Sequence, residues 1–269
     1  MIKVNWHGRM GNNMFQYCLG RILATELGYK LQAPVIDGFV GTADKVDGRV
    51  IQYPVKNLEM HVIDIEELTT KRTQDQQLHL NGYFQRYEYY KERKDEVKHW
   101  MRIEDYDVGQ TDKDVIMHIR LGDNLTHVGA IPFIMPYEYY ETALQSMDFE
   151  RLFICSDPET IHSPFLKKFD KYNPTILRGN KMEDLRAMKA FNKIIVSQST
   201  YSWWGAFLSK AEEVYMPVPL PGNSKLINEW SSGRPDIALF VDDEDRYQYL
   251  KQSEKNEWTA VKLSEIEER

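Results

Sequence analysis

The residues that point most directly to chemistry lie in the stretch SQSTYSWWGAFL, residues 197–208, which follows the apolar run KIIV. It places Ser199, Thr200 and Ser202 between a predicted buried strand and a predicted helix. Hydroxyls and backbone N–H groups that converge at a helix N-terminus form a natural seat for phosphate. The alternative is that one serine caps the helix while Trp203 and Trp204 fill the core, which accounts for one hydroxyl but hardly for three.

A second polar cluster is HIRLGD, residues 118–123, at the end of an apolar run. Neighbours two apart in a strand point the same way, so His118 and Arg120 are expected to reach the same side of the sheet. Arg120 is suited to grip a diphosphate through charge-assisted bonds, each worth about 1.5–3 kcal/mol. An ion pair between Arg120 and Asp123 across the turn explains the same residues, and both interpretations stay open.

A third cluster is HGRMGNN, residues 7–13, directly before an apolar helical pattern. Gly8 and Gly11 let the backbone approach a ligand, and amides at the helix start can receive an anion or a sugar hydroxyl. The glycine spacing matches neither a dinucleotide fingerprint nor a P-loop, and a tight turn explains it equally well.

The sequence predicts no metal site. The segments 105–107, 112–114 and 242–245 have the acidic spacing by which metal-dependent glycosyltransferases hold a divalent ion, but each reads as an exposed connector. Cys18 and Cys155 lie in apolar surroundings without a CxxC or His-rich partner. We therefore expect two buried reduced thiols, with neither a disulfide nor structural zinc.

Strands and helices that alternate along the chain must position these clusters, and the alternation predicts an α/β fold with mainly parallel sheets. Three of the polar clusters follow predicted strands, where open α/β sheets bind ligands. The polar connector 101–114 suggests two domains, 1–110 and 111–269, and the tail from about 222 lacks a clear pattern and is considered as packing back on the first. The expected elements are strands at 2–6, 31–36, 49–53, 77–84, 114–120, 151–156, 193–197 and 213–217, and helices at 14–28, 86–99, 136–147, from 157, 182–191 and 201–210.

Composition narrows the class of protein. The 269 residues are 42% hydrophobic and 28% charged, which is typical of a globular protein, and the net charge is −7. An acidic chain does not suit a nucleic-acid surface, which requires a basic footprint. Neither a signal peptide nor a membrane-spanning run is recognisable, so we expect a cytoplasmic chain without stable membrane insertion. The oligomeric state is not indicated.

Taken together and in order, the motifs GRMGNNMFQYCLG, HIRLGDN and EDLRAM…SQSTYSWWGAFL, with YFQRYEYY at 83–90, resemble the α-1,2-fucosyltransferases of glycosyltransferase family 11. The resemblance implies a GT-B fold, in which two Rossmann-like lobes with mainly parallel sheets enclose a cleft. It also implies an inverting transferase that needs no metal or cofactor. GDP-fucose would be the donor, and a glycan hydroxyl, the 2-OH of a galactoside, the acceptor.

The resemblance further implies roles for individual residues. Arg120 would bind the β-phosphate and assist the departure of GDP, with Asp123 nearby as a candidate base or a partner of Arg120. Asn12 would hold the reacting sugar. The other donor-binding residues would be Gly8, Arg9, Gly11, His118, Asp184, which would accept from the guanine edge, and Ser199, Thr200, Tyr201 and Ser202 at the diphosphate.

The sequence departs from the family pattern at several of these sites. Leu121 stands where a second arginine is usual, Asn124 where an aromatic is usual, and Gln198 where an asparagine is usual. Three alternatives therefore stay open: a transferase of another nucleotide sugar, a metal-dependent sugar transferase, and a non-catalytic module that stacks sugars on Trp203 and Trp204.

Overall fold

A computed structural model describes residues 1–59, 63–70, 76–122, 134–218, 237–253 and 257–261. The chain divides into two compact units. The first comprises Met1–Ile103 and Gly233–Leu239, and the second comprises Glu104–Ser232 and Phe240–Arg269. Each unit is built around a sheet in which parallel pairing dominates, so the predicted α/β class is confirmed.

The first unit contains a four-stranded parallel sheet in the order β2-β1-β4-β3. Its central strand β1 is followed by the long helix α1, whose inner side is buried because apolar residues recur along it. The bounds are β1 Ile2–Val4, α1 Met10–Leu27, β2 Leu31–Gln32, β3 Val55–Leu58, α2 Ile65–Thr70 and β4 Gln77–Leu80.

The second half of this unit differs from the sequence prediction. The helix expected at 86–99 is present only in its last part, α3 (Lys94–Trp100). Two 3₁₀ turns at 87–89 and 91–93 precede it, and β5 (Gln85–Arg86) pairs in parallel with β11 (Ile237–Ala238). The tyrosine-rich stretch bends because Tyr87, Tyr89 and Tyr90 are all buried, which one straight helical face cannot achieve.

The second unit contains a seven-stranded sheet in the order β13-β12-β10-β9-β6-β7-β8. All neighbours are parallel except β12 and β13. The strands are β6 Val115–Ile119, β7 Leu152–Ser156, β8 Thr175–Ile176, β9 Lys193–Ile195, β10 Glu213–Val218, β12 Tyr247–Gln252 and β13 Trp258–Val261. The helices are α4 Tyr137–Gln145, α5 Pro164–Lys167, α6 Lys181–Lys189 and α7 Thr200–Leu208.

This strand order creates a topological switch point between β6 and β9. The chain leaves β6 through α4 toward β7 on one side, and it leaves β9 through α7 toward β10 on the other. Loops that diverge from adjacent strands open a crevice at the carboxyl edge of the sheet, where α/β proteins bind their ligands. The segments after β6 and β9 therefore lie where a ligand is expected.

Two further predictions for this unit are wrong. The tail is ordered where it is described, because Leu250 and Trp258 on β12 and β13 are buried and extend the sheet, although charges surround them in sequence. The helix expected from residue 157 is only a 3₁₀ turn at 158–160 followed by the short α5. Pro164 accounts for the break, since proline disfavours a helical conformation in the residue before it.

Candidate active site

A buried hydrogen-bond chain joins β6 to the segment that follows β9. His118 is 5% exposed, and its Nδ1 lies 2.7 Å from Ser197 Oγ, which lies 3.3 Å from Ser202 Oγ. The imidazole also packs against the Tyr201 ring at 5.3 Å between centroids. Burial lowers the pKa of His118 to about 3, so the ring is neutral near pH 7. This chain therefore fixes the crevice rather than supplying a cation.

Arg120 follows β6, and its partner is a residue that the sequence did not single out. Its Nη1 lies 3.8 Å from Oδ1 of Asp157, and both side chains are 16% exposed. Asp157 Oδ2 also accepts from the Leu121 N–H at 3.0 Å. Gly122 has φ of +26°, and a Cβ there would lie 2.6 Å from the Asp157 carboxylate. Asp157, at the end of β7, therefore holds the whole turn.

The open interpretations of Arg120 are narrowed by this geometry. The Arg120 guanidinium has a carboxylate partner on the adjacent strand, as a positioned arginine should. Asp123 and Asn124 lie outside the described residues, so the expected roles of Asp123 stay predictions.

The N-terminus of α7 begins where the sequence predicts a phosphate seat. Ser199 is the N-cap residue, but its side chain makes no capping bond to the helix. First-turn N–H groups, here of Thr200, Tyr201 and Ser202, have no acceptor within a helix, and the helix dipole favours an anion beside them. The seat therefore offers backbone amides and the start of a helix of nine residues.

The hydroxyls at this turn have different environments. Ser202 is fully buried, and its Oγ donates to the carbonyls of Ser199 at 3.1 Å and Ser197 at 3.2 Å. Tyr201 donates its hydroxyl to the Lys181 carbonyl at 2.6 Å, which ties α7 to α6. Both residues thus brace the turn through their side chains. Ser199 is 9% exposed, and Gln198 before it has a buried Nε2 without a hydrogen-bond partner within the described chain.

The two tryptophans of this stretch are core residues. Trp203 and Trp204 are 1% and 0% exposed, and their rings meet at right angles with centroids 5.2 Å apart. Trp203 also stacks on Phe207 at 4.9 Å. Gly205 allows α6 to approach α7, because a Cβ there would lie 2.7 Å from Met188 Cε. Neither indole is accessible to a sugar in this arrangement.

Asp184 lies on α6, which starts with a capping box between Asn180 and Glu183. Its residue is 8% exposed, and its carboxylate accepts a hydrogen bond from the Gly179 backbone. Burial raises the pKa of Asp184 to about 6, and the charge of Glu183 adds to the rise. The fold thus keeps a carboxylate where its charge is penalised, which is common at functional sites.

In the first unit, the loop after β1 brings the predicted residues Gly8 and Asn12 together. Gly8 has φ of +74°, and a Cβ there would clash with the Asn12 side chain. Asn12 Oδ1 accepts from Gln85 Nε2 at 2.9 Å. Arg9 is the exposed N-cap residue of α1, and Gly11 is buried in its first turn. The loop is therefore shaped around the amide of Asn12.

Two glutamines that sequence reasoning missed hold this loop. Gln16 is fully buried and clamps the His7 backbone, with its Oε1 accepting from the N–H at 3.1 Å and its Nε2 donating to the carbonyl at 2.9 Å. Gln85 follows Phe84, which has the uncommon φ of +54°. The Tyr90 hydroxyl secures this turn by donating to the Phe84 carbonyl at 2.7 Å. Both glutamines lie in motifs already noted, MFQY and YFQRY.

The acidic segments considered for a metal have protein partners. Asp105 pairs with Lys189, Asp107 Oδ1 accepts from the Gly109 N–H at 2.7 Å, and Asp114 is fully buried and pairs with Arg151 at 2.5 Å. Among the residues that the structure describes, no group of three or more His, Cys, Asp or Glu is arranged to hold a metal ion.

Two other expectations concern the thiols and the membrane. Cys18 and Cys155 are free thiols and both are buried, as predicted. In the described part of the chain, no helix has the length and apolar character needed to cross a membrane.

Comparison with known proteins agrees with these features. The model of glycosyl transferase family 11 matches residues 55–233, which is more than half of the chain. The chain belongs to glycosyltransferase family 11. The O-antigen biosynthesis glycosyltransferase WbnK of Escherichia coli is 29% identical over 137 residues, which cover 47% of this family 11 chain and 42% of WbnK. The match thus spans less than half of that relative, and no solved structure matches significantly.

The family 11 match covers the residues of the second unit that form the crevice. Arg120, Asp184 and the stretch 197–208 all lie within 55–233, as does Gln85. The loop with Gly8 and Asn12 lies before the matched range. The interpretation of that loop therefore depends on its geometry and on the sequence resemblance.

Proposed function

We propose that this glycosyltransferase transfers L-fucose from GDP-fucose, with inversion, to a hydroxyl of a glycan acceptor, the 2-OH of a galactoside. The observation that supports this most is the arrangement at the β6/β9 switch point. Arg120 follows one strand and the start of α7 follows its neighbour, with Met117 and Ile195 paired in register just before them.

This arrangement suits the departure of a nucleoside diphosphate. As the glycosidic bond breaks through an oxocarbenium-like transition state, negative charge develops on the leaving phosphate. Arg120 and the first-turn amides of α7 would neutralise that charge, and Asp157 would keep the guanidinium oriented. Removing one such preorganised donor commonly costs on the order of 10²–10³ in rate.

The remaining residues are assigned to the two ends of the donor. Asp184 would accept hydrogen bonds from the N–H groups of the guanine edge, which would offset the penalty that burial places on its charge. Asn12, held by Gln85, would position the fucosyl group. Asp123 stays the candidate for accepting the acceptor proton, with a leaving phosphate oxygen as the alternative acceptor.

The acceptor is proposed from the relative as well as from the family. WbnK is named as a glycosyltransferase of O-antigen biosynthesis, so we propose a surface polysaccharide as the acceptor of this chain. The non-catalytic sugar-binding module is disfavoured because Trp203 and Trp204, the rings it would need, are buried.

A donor screen by nucleotide release tests the proposal. GDP-fucose is compared with other GDP- and UDP-sugars in excess chelator, with galactosides as acceptors. We expect turnover with GDP-fucose that survives the chelator and falls at least about 100-fold in Arg120→Ala. Lys210→Ala, which removes an exposed cation just beyond the opposite end of α7, is the matched control and should be unaffected. Near-normal turnover of Arg120→Ala would sink the assignment, and loss of activity in chelator would favour a metal-dependent transferase.

A further inference from the structure

One face of the first sheet carries polar side chains, although parallel sheets are normally covered by apolar packing on both faces. Lys3 on β1 lies in register with His79 on β4, which lies in register with Asn57 on β3. Lys3 and His79 are half-buried, and Asn57 is exposed. The alternate residues Val4 and Leu80 face α1 and are buried. The polar face is therefore a property of the strands themselves.

Three asparagines form a continuous row of amides at the carboxyl edge of this face. Asn5 Nδ2 donates to Asn81 Oδ1, and Asn81 Nδ2 donates to Asn57 Oδ1 at 3.3 Å. The backbone N–H groups of Asn5 and Asn81 continue the sheet by donating to the carbonyls of Leu80 at 3.1 Å and Leu58 at 2.8 Å. We call Asn5, Asn81 and Asn57 the amide ladder.

The amide ladder keeps one acceptor and one donor available. The bonds along it leave Asn5 Oδ1 as an acceptor at one end and Asn57 Nδ2 as a donor at the other. Neither atom has another partner among the described residues. Because each amide is fixed by its neighbour or by the sheet, the terminal groups are preorganised, and little side-chain entropy is lost when they bind a ligand.

The chemistry of the ladder selects its ligand. A neutral row of donors and acceptors matches the hydroxyls of a sugar, whereas an anion would require a cluster of cations and an apolar segment would leave the amides unsatisfied. Burial and the charge of Lys3 lower the pKa of His79, so that ring adds no charge near pH 7. The ladder also lies on the same sheet edge as the loop that starts at Gly8, because both follow β1.

We propose that the amide ladder is a subsite for a neutral saccharide, the acceptor of the transfer proposed above. As the acceptor assignment rests on the proposed function, the binding of saccharide and of GDP must be measured separately. Asn57 is the residue to change, because it is exposed on an edge strand and its replacement leaves the core intact.

Saccharide affinity is measured by saturation-transfer NMR with methyl β-galactoside and lactose at saturating GDP. Asn57→Ala removes the whole amide, whereas Asn57→Asp keeps an oxygen that can accept from Asn81 but removes the open donor. We expect each variant to bind the glycosides about three- to tenfold more weakly, the loss of one neutral hydrogen bond. Gln32→Ala, exposed on β2 in register with Lys3, is the matched control and should bind like the wild type.

Several results would overturn the subsite: no glycoside bound by the wild type, unchanged affinity in both Asn57 variants, or an equal loss in Gln32→Ala. A loss in Asn57→Ala alone would show that Asn57 only braces Asn81, and would also overturn it. GDP affinity, measured by calorimetry on the same samples, should be equal in all four proteins. A wild type that binds glycosides through the ladder but no GDP would refute the donor assignment and leave the subsite standing.

Discussion

Asp184 offers a prediction in which stability and ligand binding should move in opposite directions. Its pKa is about 6 in the folded chain, against about 3.9 for an ordinary aspartate in an unfolded chain. The folded state therefore binds the proton more tightly, and its stability falls as the pH rises from about 4 to about 6. Two pKa units correspond to about 3 kcal/mol of free energy of unfolding lost above pH 7.

The change Asp184→Asn removes the charge and keeps an oxygen that can accept from the Gly179 N–H. Urea unfolding at pH 7.5 should show this variant to be more stable than the wild type by up to about 3 kcal/mol, and by less than about 1 kcal/mol at pH 4, where the wild-type carboxyl is protonated. Asp148→Asn, at an exposed position, controls for the loss of an aspartate and should show no such difference.

GDP binding by the same variant tests why the fold keeps this carboxylate. A charge-assisted bond to the guanine edge is worth about 1.5–3 kcal/mol, so Asp184→Asn should bind GDP at least tenfold more weakly. The wild type should also prefer GDP to inosine diphosphate, which lacks the exocyclic amino group, and the variant should lose that preference. A variant that is no more stable at pH 7.5 would refute the reasoning on burial, and an unchanged nucleotide preference would refute the role in reading the base.

Two further predictions concern β6 and its turn. His118 has a pKa near 3 when folded and about 6.5 when unfolded, so its contribution to stability is complete above pH 6.5 and is lost as the pH falls. Urea unfolding should show about 2 kcal/mol lost from this source between pH 7 and pH 5, and His118→Gln should lack that loss; an equal pH dependence would contradict it. Gly122→Ala should reduce transfer at least tenfold, because its Cβ would displace the Asp157 carboxylate. Gly109→Ala, also at positive φ but with open space around its Cβ, should keep its activity, and equal losses would show that backbone strain alone is responsible.

The sequence predicted the central strands of the larger sheet well, because each is a short apolar run between polar segments. β6, β7 and β9 are buried at almost every position, so their periodicity is unambiguous. It failed for β12, where Tyr247, Tyr249 and Leu250 are buried among charges, and no local pattern distinguishes such an outer strand from a loop.

The candidate site was predictable where a residue follows a strand and carries an unusual chemical type. Arg120 met that criterion, and the turn that contains it lies where expected. Asp157 met it as well, directly after β7, but its position before a proline suggested only a helix cap. The contacts of Ser197 and Gln85 could not be predicted, since they join segments 79 and 73 residues apart in the sequence.

Leu121 shows how this chain differs from the pattern it resembles. It stands where a second arginine is usual, yet its side chain is 2% exposed and packs in the cluster that contains Ile119 and Tyr139. An arginine there would bury a charge among apolar groups, which is costly without a partner. The turn thus supplies one cation, Arg120, where the family pattern has two. More of the diphosphate charge would then fall on the amides of α7, whose position depends on Ser202, on Tyr201 and on the buried tryptophans.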